Sequence, residues 1–210
     1  MITSDILVGV KIDPQDKRAV FIHAAIHCIV DHGYAETTVR KIAKYAGVTP
    51  GLLVHYFDGK EHLIAETYRY LETYLLKSYS AKASTKNVDP VEILRGFFIA
   101  RIEAETLNPI QLKVWVAFWS LTLTRSDMQH IHQGIYENSL SEMKDMLTKA
   151  YKASDRQVDA PKIHRTAVGI LALFDGLWLE WSLNPTTFSV GEGLQIITEF
   201  VEGTTGLKLS

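Results

Sequence analysis

The sequence lacks the features that mark secreted and membrane proteins. It has one cysteine among 210 residues, which excludes an internal disulfide and is typical of a reducing compartment. No apolar run is long enough to cross a membrane. The opening segment, MITSDILVGVKID, has an early acid and no cationic start, so it does not resemble a secretory signal peptide. These absences predict a cytoplasmic protein, in which Cys28 is a small core residue.

Acidic residues are absent from residues 37–57, although the whole chain has a formal net charge of −2. The same segment contains Arg40, Lys41 and Lys44. Residues 1–60 hold seven Lys and Arg against six Asp and Glu, and the remainder of the chain holds 15 against 18. The sequence therefore predicts a small basic surface on a mildly acidic body, which is compatible with nucleic-acid binding.

Strand-like alternation is also missing, and apolar residues recur with helical spacing along the whole chain. Proline, glycine and polar segments interrupt this pattern. They predict an all-α fold of about nine helices, over residues 14–33, two short helices within 37–57, and then 60–80, 90–105, 109–123, 127–152, 161–183 and 190–202. We expect two domains, a three-helix unit at residues 1–60 and a helical body at residues 61–210.

The segment TTVRKIAKYAGVTPGLLVHYFDGK has the pattern of two short helices joined by a tight turn. Thr37 or Thr38 can cap the first helix, and Gly47 can take the positive φ that a sharp reversal needs. Thr49 can cap the second helix, with Pro50 at its first position. This pattern predicts a helix-turn-helix, whose second helix enters the DNA major groove with its N-terminal residues leading.

A plain helical hairpin inside a core is the alternative for this segment. It is disfavoured because the segment lacks acids, and because its second helix is too short to be a useful core element. Tyr56 and Lys60 also stand where phosphate contacts are expected. Leu52, Leu53 and Val54 offer few hydrogen-bond donors to base edges, and we predict contacts with thymine methyl groups instead.

The same region, TVRKIAKYAGVTPGLLVHYFDGKEHLI, resembles the TetR-type transcriptional repressors. The likeness lies in an Ile-Ala pair, an Ala-Gly-Val turn, a small cap before a glycine, Tyr-Phe, and a lysine before a leucine. The resemblance implies a TetR-like fold with a helix-turn-helix DNA-binding domain and a helical ligand-binding and dimerisation domain. It also implies a homodimer on a palindromic operator. The residues implied at the DNA are Lys17, Arg18, Thr38, Arg40, Thr49, Pro50, Gly51, His55, Tyr56 and Lys60.

Three further segments, LKVWVAFWSLTL, IHQGIYENSL and ALFDGLWLEWSL, resemble the choline-responsive, BetI-like repressors of glycine-betaine synthesis. Together with the DNA-binding segment, this likeness covers most of residues 15–200. It implies regulation of choline and glycine-betaine genes. It also implies an effector that is choline or another quaternary ammonium ion.

Two aromatic clusters can be interpreted without the resemblance. On a helix, the aromatic residues of FDGLWLEW share one face, which its aspartate borders, and VWVAFW holds a second cluster within one turn. Aromatic faces beside a carboxylate can form a cation cage, in which each ring contributes roughly 0.5 to 2 kcal/mol. The alternative is a core, with the aspartate bonded to a backbone amide or a basic residue. The predicted ligand-binding residues are Trp115, Phe118, Trp119, Phe174, Asp175, Trp178 and Trp181.

Small residues lie almost opposite the aromatic face of the FDGLWLEW helix, where they would let a second helix approach closely. The helix is apolar nearly all round, so both faces are expected to be buried. We predict a dimer interface at the small residues, completed by the last helix. The alternative is that both faces pack within one subunit. The predicted interface residues are Gly169, Ala172, Gly176, Leu194, Ile197 and Val201.

Two other functions fit parts of the sequence. One is a helical enzyme that uses His23 and His27, or His130 and His132. The first pair has a metal-compatible spacing but no third ligand beside it, and the chain has neither a nucleophile elbow nor a phosphate-cradling glycine loop. The other function keeps the fold but senses a flat aromatic or acyl molecule. We predict no catalytic residue, no metal site and no cofactor.

Overall fold

A computed structural model of the protein describes residues 13, 15–83, 88–103, 109–184 and 186–209. Within these residues the chain forms nine α-helices and no β-strand, which confirms the all-α prediction. The helices are α1 (Lys17–Glu36), α2 (Val39–Ala46), α3 (Pro50–Tyr56), α4 (Gly59–Ala83), α5 (Pro90–Ile102), α6 (Pro109–Thr122), α7 (Ser126–Ala153), α8 (Ala160–Leu183) and α9 (Val190–Thr205).

The helices are grouped into two compact units. Unit 1 comprises Met1–Thr73 and Asn108–Gly134, and unit 2 comprises Tyr74–Leu107 and Ile135–Ser210. The first three helices therefore share unit 1 with α6 and with the first parts of α4 and α7. The boundaries of these units differ from the two domains predicted from the sequence, residues 1–60 and 61–210. The division into a DNA-binding domain and a ligand-binding domain stays a prediction.

The first helix, α1, packs against α2, α3 and α6 within unit 1. Its N-cap is Asp16, whose carboxylate accepts a hydrogen bond from the Ala19 amide at 3.1 Å. A carboxylate at this position also suits the helix dipole. The predicted start at Pro14 lies outside the described residues. Gly33, where the sequence predicted the end, has φ 74° and interrupts the helical backbone before a last turn that ends at Glu36.

Apolar side chains from five helices form the core of unit 1. Its largest buried residues are Phe21, Ile26, Ile29, Ile42, Leu53, Phe57, Leu63, Ile64, Tyr68 and Phe118. Cys28 is fully buried in α1, as expected for a small core residue. Within this unit the two helices of the helix-turn-helix pack against α1.

Unit 2 has its own apolar core, formed by α5, α8, α9 and the later part of α7. Side-chain caps define where three of these helices begin. The carboxylate of Asp89 caps α5, that of Asp159 caps α8, and Ser189 forms a capping box with Glu192 at α9. Each cap satisfies backbone amides that would otherwise lack a partner, so these helix starts are set locally.

The expectation that no apolar run is long enough to cross a membrane does not hold for α8. By length and composition alone it could cross a membrane, which is weak evidence because the core helices of soluble proteins meet the same criteria. Ile170, Leu171 and Phe174 lie in the core of unit 2. Ala172 and Gly176 are exposed. The helix therefore buries one face within the chain and presents a second face of small residues.

Candidate functional site

The helix-turn-helix consists of α2 and α3, joined through Gly47. This residue has φ 67° and ψ 31°, a left-handed conformation that favours glycine, and its amide donates to carbonyls of α2. Ile42 and Ala43 of α2 and Leu53 of α3 are at most 1% exposed. The turn and this packing fix α3 on one side and leave its other side uncovered by unit 1.

The threonines that precede α2 and α3 differ in their bonding. Thr38 is the N-cap of α2, and its hydroxyl accepts a hydrogen bond from the Lys41 amide at 3.2 Å. Thr49 is the N-cap residue of α3, but its hydroxyl makes no cap hydrogen bond. Because Thr49 is also exposed, its hydroxyl is available to a partner outside the chain.

Thr38→Ala is expected to lower the free energy of unfolding by about 1 kcal/mol, because the cap hydrogen bond is lost. Thr49→Ala is expected to change it by less than about 0.5 kcal/mol, since that bond does not exist at α3. Urea unfolding followed by circular dichroism measures both values. Thr38→Ser, which keeps the hydroxyl, serves as the control, and equal losses in both alanine variants would contradict the assignment.

The uncovered side of α3 carries Val54 and most of the residues of this segment that the resemblance placed at the DNA. The exposed residues of this segment are Thr49, Pro50, Gly51, Val54 and His55. Val54 is 54% exposed, whereas Leu53 is fully buried. The prediction that Leu53 touches thymine methyl groups is therefore wrong, because its side chain anchors α3 to the core. Arg40 of α2 is also exposed.

Arg18 links three helices of unit 1. Its guanidinium donates to the Tyr56 carbonyl at 3.1 Å and lies 4.6 Å from the centre of the Phe57 ring. It also approaches the Glu66 carboxylate of α4 at 3.6 Å. These contacts hold the end of α3 against α1 and α4. The positions of Arg18 and Lys17 near the DNA backbone stay predictions.

Lys60, at the start of α4, contacts Tyr34 near the end of α1. Its Nζ donates to the Tyr34 carbonyl at 3.1 Å and lies 4.0 Å from the centre of the Tyr34 ring. Burial lowers the pKa of Lys60, and the neighbouring Glu61 opposes that shift. Arg125, between α6 and α7, donates to the Tyr34 hydroxyl at 3.1 Å, across 91 sequence positions. No local sequence signal marks Tyr34 or Arg125, and sequence reasoning missed both.

The aromatic residues of α6 belong largely to the core of unit 1. Phe118 is fully buried and stacks on Tyr68 of α4 with ring centres 4.7 Å apart. Trp115 is 7% exposed and lies edge-on to both rings. Trp119 is half-buried. The packing of Trp115 and Phe118 matches the core alternative, and a cage that joins them to the α8 aromatics stays a prediction.

Phe174 and Asp175 of α8 have partners within unit 2. Phe174 is 2% exposed and contacts Phe97 and Phe98, with ring centres 6.4 and 5.6 Å away. The guanidinium of Arg101 lies 4.9 Å from the Phe174 ring centre and donates to Asp175 at 3.2 Å. Asp175, which the sequence predicted as the acid of a cation cage, is therefore already paired with the Arg101 guanidinium. This matches the alternative in which a basic residue is the partner of the aspartate.

The residues of the predicted aromatic face of α8 differ in their exposure to solvent. Phe174 lies inside the core, whereas Trp178 and Trp181 are half-buried. The Asp175 side chain is 56% exposed. A ligand can reach only groups that are partly open to solvent, so Asp175 and the two tryptophans are the members of this cluster that meet that condition.

The predicted dimer residues fall into two groups. Ile197 and Val201 of α9 are fully buried in the core of unit 2, which matches the alternative of packing within one subunit. Helical periodicity identified their apolar face correctly but not its partner, which is the same chain. Ala172 and Gly176 of α8 are exposed, and a Cβ added at Gly176 would meet no atom within 4 Å.

A close approach at Gly169 occurs within one chain. A Cβ added there would lie 3.1 Å from Cζ of Phe200 on α9, so the absence of a side chain at Gly169 accommodates that ring. Leu194 is half-buried and packs against the unit 2 core. Phe200 and Ile196, at 37% and 39% exposure, are apolar surface residues of α9 that sequence reasoning missed.

The histidines of the enzyme alternative have structural partners. His23 is buried, and its Nε2 lies 3.1 Å from the Tyr70 hydroxyl. Burial, and to a lesser degree His27, lowers the pKa of His23 to about 4. His132 lies 2.7 Å from the Tyr68 hydroxyl. Within the described part of the chain, no group of three His, Cys, Asp or Glu side chains is arranged to hold a metal ion.

Two family models match the chain. Residues 21–67 match the bacterial regulatory proteins of the tetR family, a range that contains the helix-turn-helix. Residues 90–206 match the C-terminal region of the BetI-type transcriptional repressors. The first match lies within α1 to α4, and the second runs from α5 to the end of α9.

Curated relatives align with nearly the whole chain. The HTH-type transcriptional regulator BetI 1 of Chromohalobacter salexigens is 28% identical over 190 residues, which are 89% of each chain. The regulator BetI of Paraburkholderia phytofirmans is 28% identical over 186 residues, 89% of this chain and 92% of the relative. These families and relatives are transcriptional regulators rather than enzymes, so the enzyme alternative is not supported.

Solved structures share the fold. A transcriptional regulator from Pseudomonas aeruginosa has 31% sequence identity and a TM-score of 0.83, with 92% of each chain covered. A transcriptional regulator from Saccharomonospora viridis in complex with choline has 17% identity and a TM-score of 0.72, covering 90% of this chain and 96% of that one. The predicted TetR-like fold is thus confirmed. The protein belongs to the BetI-type transcriptional repressors of the TetR family.

Proposed function

We propose that the protein is a ligand-responsive repressor that binds a palindromic operator as a homodimer. Helix α3 of each subunit enters the major groove, with half-sites about 34–36 Å apart, one helical turn, or a multiple of that distance. An effector that binds the helical body better in its DNA-free state releases the operator to the extent of that preference. The protein acts in the cytoplasm, where operator DNA is located.

The uncovered side of α3 is the observation that supports operator binding. Leu53 anchors the helix in unit 1, while Val54 and His55 of the same helix are exposed. Side chains held this way can contact base edges, and Val54 suits a thymine methyl group. Phosphate contacts position the protein. We assign such contacts to Lys17, Arg18, Thr38, Arg40, Tyr56 and Lys60.

The homodimer is proposed to form through α8 and α9. Ala172 and Gly176 expose a small-residue surface on α8, and Ile196 and Phe200 add exposed apolar side chains on α9. A symmetric pairing of these helices would cover apolar surface that a single subunit leaves in water. Burial in a dimer accounts for the apolar character of α8 without a membrane.

The effector is proposed to be choline or another quaternary ammonium ion. The relatives carry the name BetI, and a solved structure with the same fold contains choline. In this chain Trp178 and Trp181 are half-buried, and the Asp175 side chain is 56% exposed. Aromatic faces attract such a cation, which cannot donate strong hydrogen bonds, and a carboxylate adds its opposite charge. The cation would take the place of the Arg101 guanidinium beside Asp175.

Isothermal titration calorimetry of the purified protein with choline tests the effector. Saturable binding in the micromolar to millimolar range is expected, which corresponds to roughly −8 to −4 kcal/mol. Trp178→Ala and Asp175→Asn are each expected to weaken it by about tenfold or more, through loss of a cation–π contact or of the opposite charge. Asp145→Asn is the matched control, because Asp145 of α7 is also an exposed acid, at 61%.

Tetramethylammonium and glycine betaine are titrated in parallel. Tetramethylammonium tests recognition of the quaternary ammonium group alone, and glycine betaine tests the effect of a carboxylate attached to it. Heat from tetramethylammonium supports recognition of the quaternary ammonium group. Absence of heat with every cation, from a folded protein that still binds DNA, would contradict the cation proposal. It would leave the operator proposal in place and favour an aromatic or acyl effector.

A further inference from the structure

We propose that Tyr34 and Arg125 are positioning residues for the operator contact of Lys60, in which Tyr34 holds the ammonium group and Arg125 holds Tyr34. The inference rests on the proposed function, since it requires Lys60 to contact operator phosphates. It assigns a role in DNA binding to the segment between α6 and α7, which lies far from the helix-turn-helix in sequence.

The Lys60 ammonium group is held in place, but only part of its hydrogen-bonding capacity is satisfied by Tyr34. It has three N–H donors, and one of them donates to the Tyr34 carbonyl at 3.1 Å. The Tyr34 ring centre lies 4.0 Å from the same nitrogen. Both partners are neutral, so the positive charge and further donor capacity remain for a phosphate oxygen.

Holding Lys60 in advance favours DNA binding through entropy. A free lysine side chain has many rotamers, and fixing it on a phosphate has an unfavourable entropy. In this protein, the contacts with Tyr34 already restrict the Lys60 side chain before DNA arrives. Removal of the Tyr34 ring is therefore expected to weaken DNA binding although no DNA-contacting atom is lost.

Tyr34 is fixed in turn by Arg125. The Arg125 Nη1 donates to the Tyr34 hydroxyl at 3.1 Å. Its Nε and Nη2 donate to the two carboxylate oxygens of Asp127 at 3.0 and 2.5 Å, a bidentate arrangement that fixes the guanidinium plane. The Arg125 side chain is only 20% exposed. Four residues of unit 1 thus form one series of contacts from α7 to α4.

Double-mutant cycles on DNA affinity test this series. The probe is a duplex that the wild-type protein enriches from a randomised library, and fluorescence anisotropy is measured at several salt concentrations. Lys60→Ala is expected to weaken binding and to flatten the log–log salt slope by about 1.8, because each phosphate contact contributes about 0.9 and the proposed homodimer has two Lys60 side chains. Tyr34→Leu is expected to weaken binding about threefold to tenfold, and to have no further effect when Lys60 is already alanine.

Tyr34→Phe and Arg125→Gln test the hydroxyl contact without removing the ring. Each is expected to weaken binding about twofold to fivefold, and the double variant no more than either single variant. Neither should have an effect in the Lys60→Ala background. Tyr136→Phe is the matched control, since it removes the hydroxyl of an exposed α7 tyrosine, and its DNA affinity is expected to equal that of the wild type.

Two results would overturn the inference. Additive losses in the Tyr34→Leu, Lys60→Ala double variant would show that Tyr34 affects binding by another route. Unchanged affinity and salt slope in Lys60→Ala would remove Lys60 from the phosphate contacts, while enrichment of a specific duplex by the wild type would keep the operator proposal. If circular dichroism shows that Tyr34→Leu does not fold, the same double-mutant cycle with Lys60→Ala is measured with Tyr34→Phe, which is the milder change.

Discussion

Gly176→Arg is expected to convert the proposed dimer into monomers and to lower operator affinity by about 100-fold or more. Gly176 is exposed on α8, and a Cβ there meets nothing within 4 Å in its own chain, so an isolated subunit tolerates the arginine. In the dimer the guanidinium would be buried against an apolar helix without a partner, which is costly. A monomer binds one half-site and loses the gain of roughly 10² to 10⁴ that two linked sites provide.

Analytical ultracentrifugation measures the association state of this variant, and fluorescence anisotropy measures its DNA affinity. Gly134→Arg is the matched control, because Gly134 is an exposed helical glycine of α7 whose Cβ would also meet open space. Both changes replace glycine by a better helix former, so their intrinsic effects on helix stability cancel. A dimeric Gly176→Arg protein with full operator affinity would place the interface elsewhere.

Phe118→Ala is expected to lower the free energy of unfolding by about 3 to 5 kcal/mol. The ring is fully buried, stacks on Tyr68 and meets the edge of Trp115. Its removal leaves a cavity between α4 and α6 that these large rings cannot fill by small shifts. Since a typical domain has a stability of only about 5 to 15 kcal/mol, this single change should be evident in urea unfolding.

Val116→Ala on the same helix is the comparison, because Val116 is 48% exposed. It is expected to cost less than about 1 kcal/mol. The difference between the two losses of stability shows whether Phe118 is a core residue or a ligand-binding residue, the two roles that the sequence allowed. If Phe118→Ala lost less than about 1 kcal/mol while choline binding disappeared, Phe118 would be a ligand-binding residue and its packing on Tyr68 would not be structural.

Local chemistry explains why the helix-turn-helix could be predicted in detail. Gly47 supplies the left-handed turn, and Pro50 occupies the first position of α3. These signals depend on neighbours in sequence, so they are visible without a structure. The same holds for the Thr38 cap. Thr49 shows the limit of this reasoning, because a suitable cap residue makes no cap hydrogen bond.

Contacts across long sequence separations could not be predicted. Arg101 and Asp175 meet across 74 positions, and Lys60 and Tyr34 across 26. Asp175 was recognised as a functional candidate from its aromatic neighbours, yet nothing near it in sequence identified its cation. Ile197 and Val201 illustrate a second limit, since periodicity identifies an apolar face but does not tell whether its own chain or a partner covers it.

The pair between Arg101 and Asp175 would also set the sensitivity of the response to a cation. A cationic effector at Asp175 must compete with a guanidinium that is tethered to the same chain and therefore always present. A partly exposed ion pair contributes about 0 to 1 kcal/mol, and the contact with Phe174 adds about 0.5 to 1 kcal/mol. Together these contributions reach at most about 2 kcal/mol, and because 1.4 kcal/mol corresponds to a factor of ten in concentration, the half-saturating effector concentration would rise by up to roughly 30-fold. In the proposed function, the regulator would therefore respond only when the cation accumulates and not to trace amounts of it.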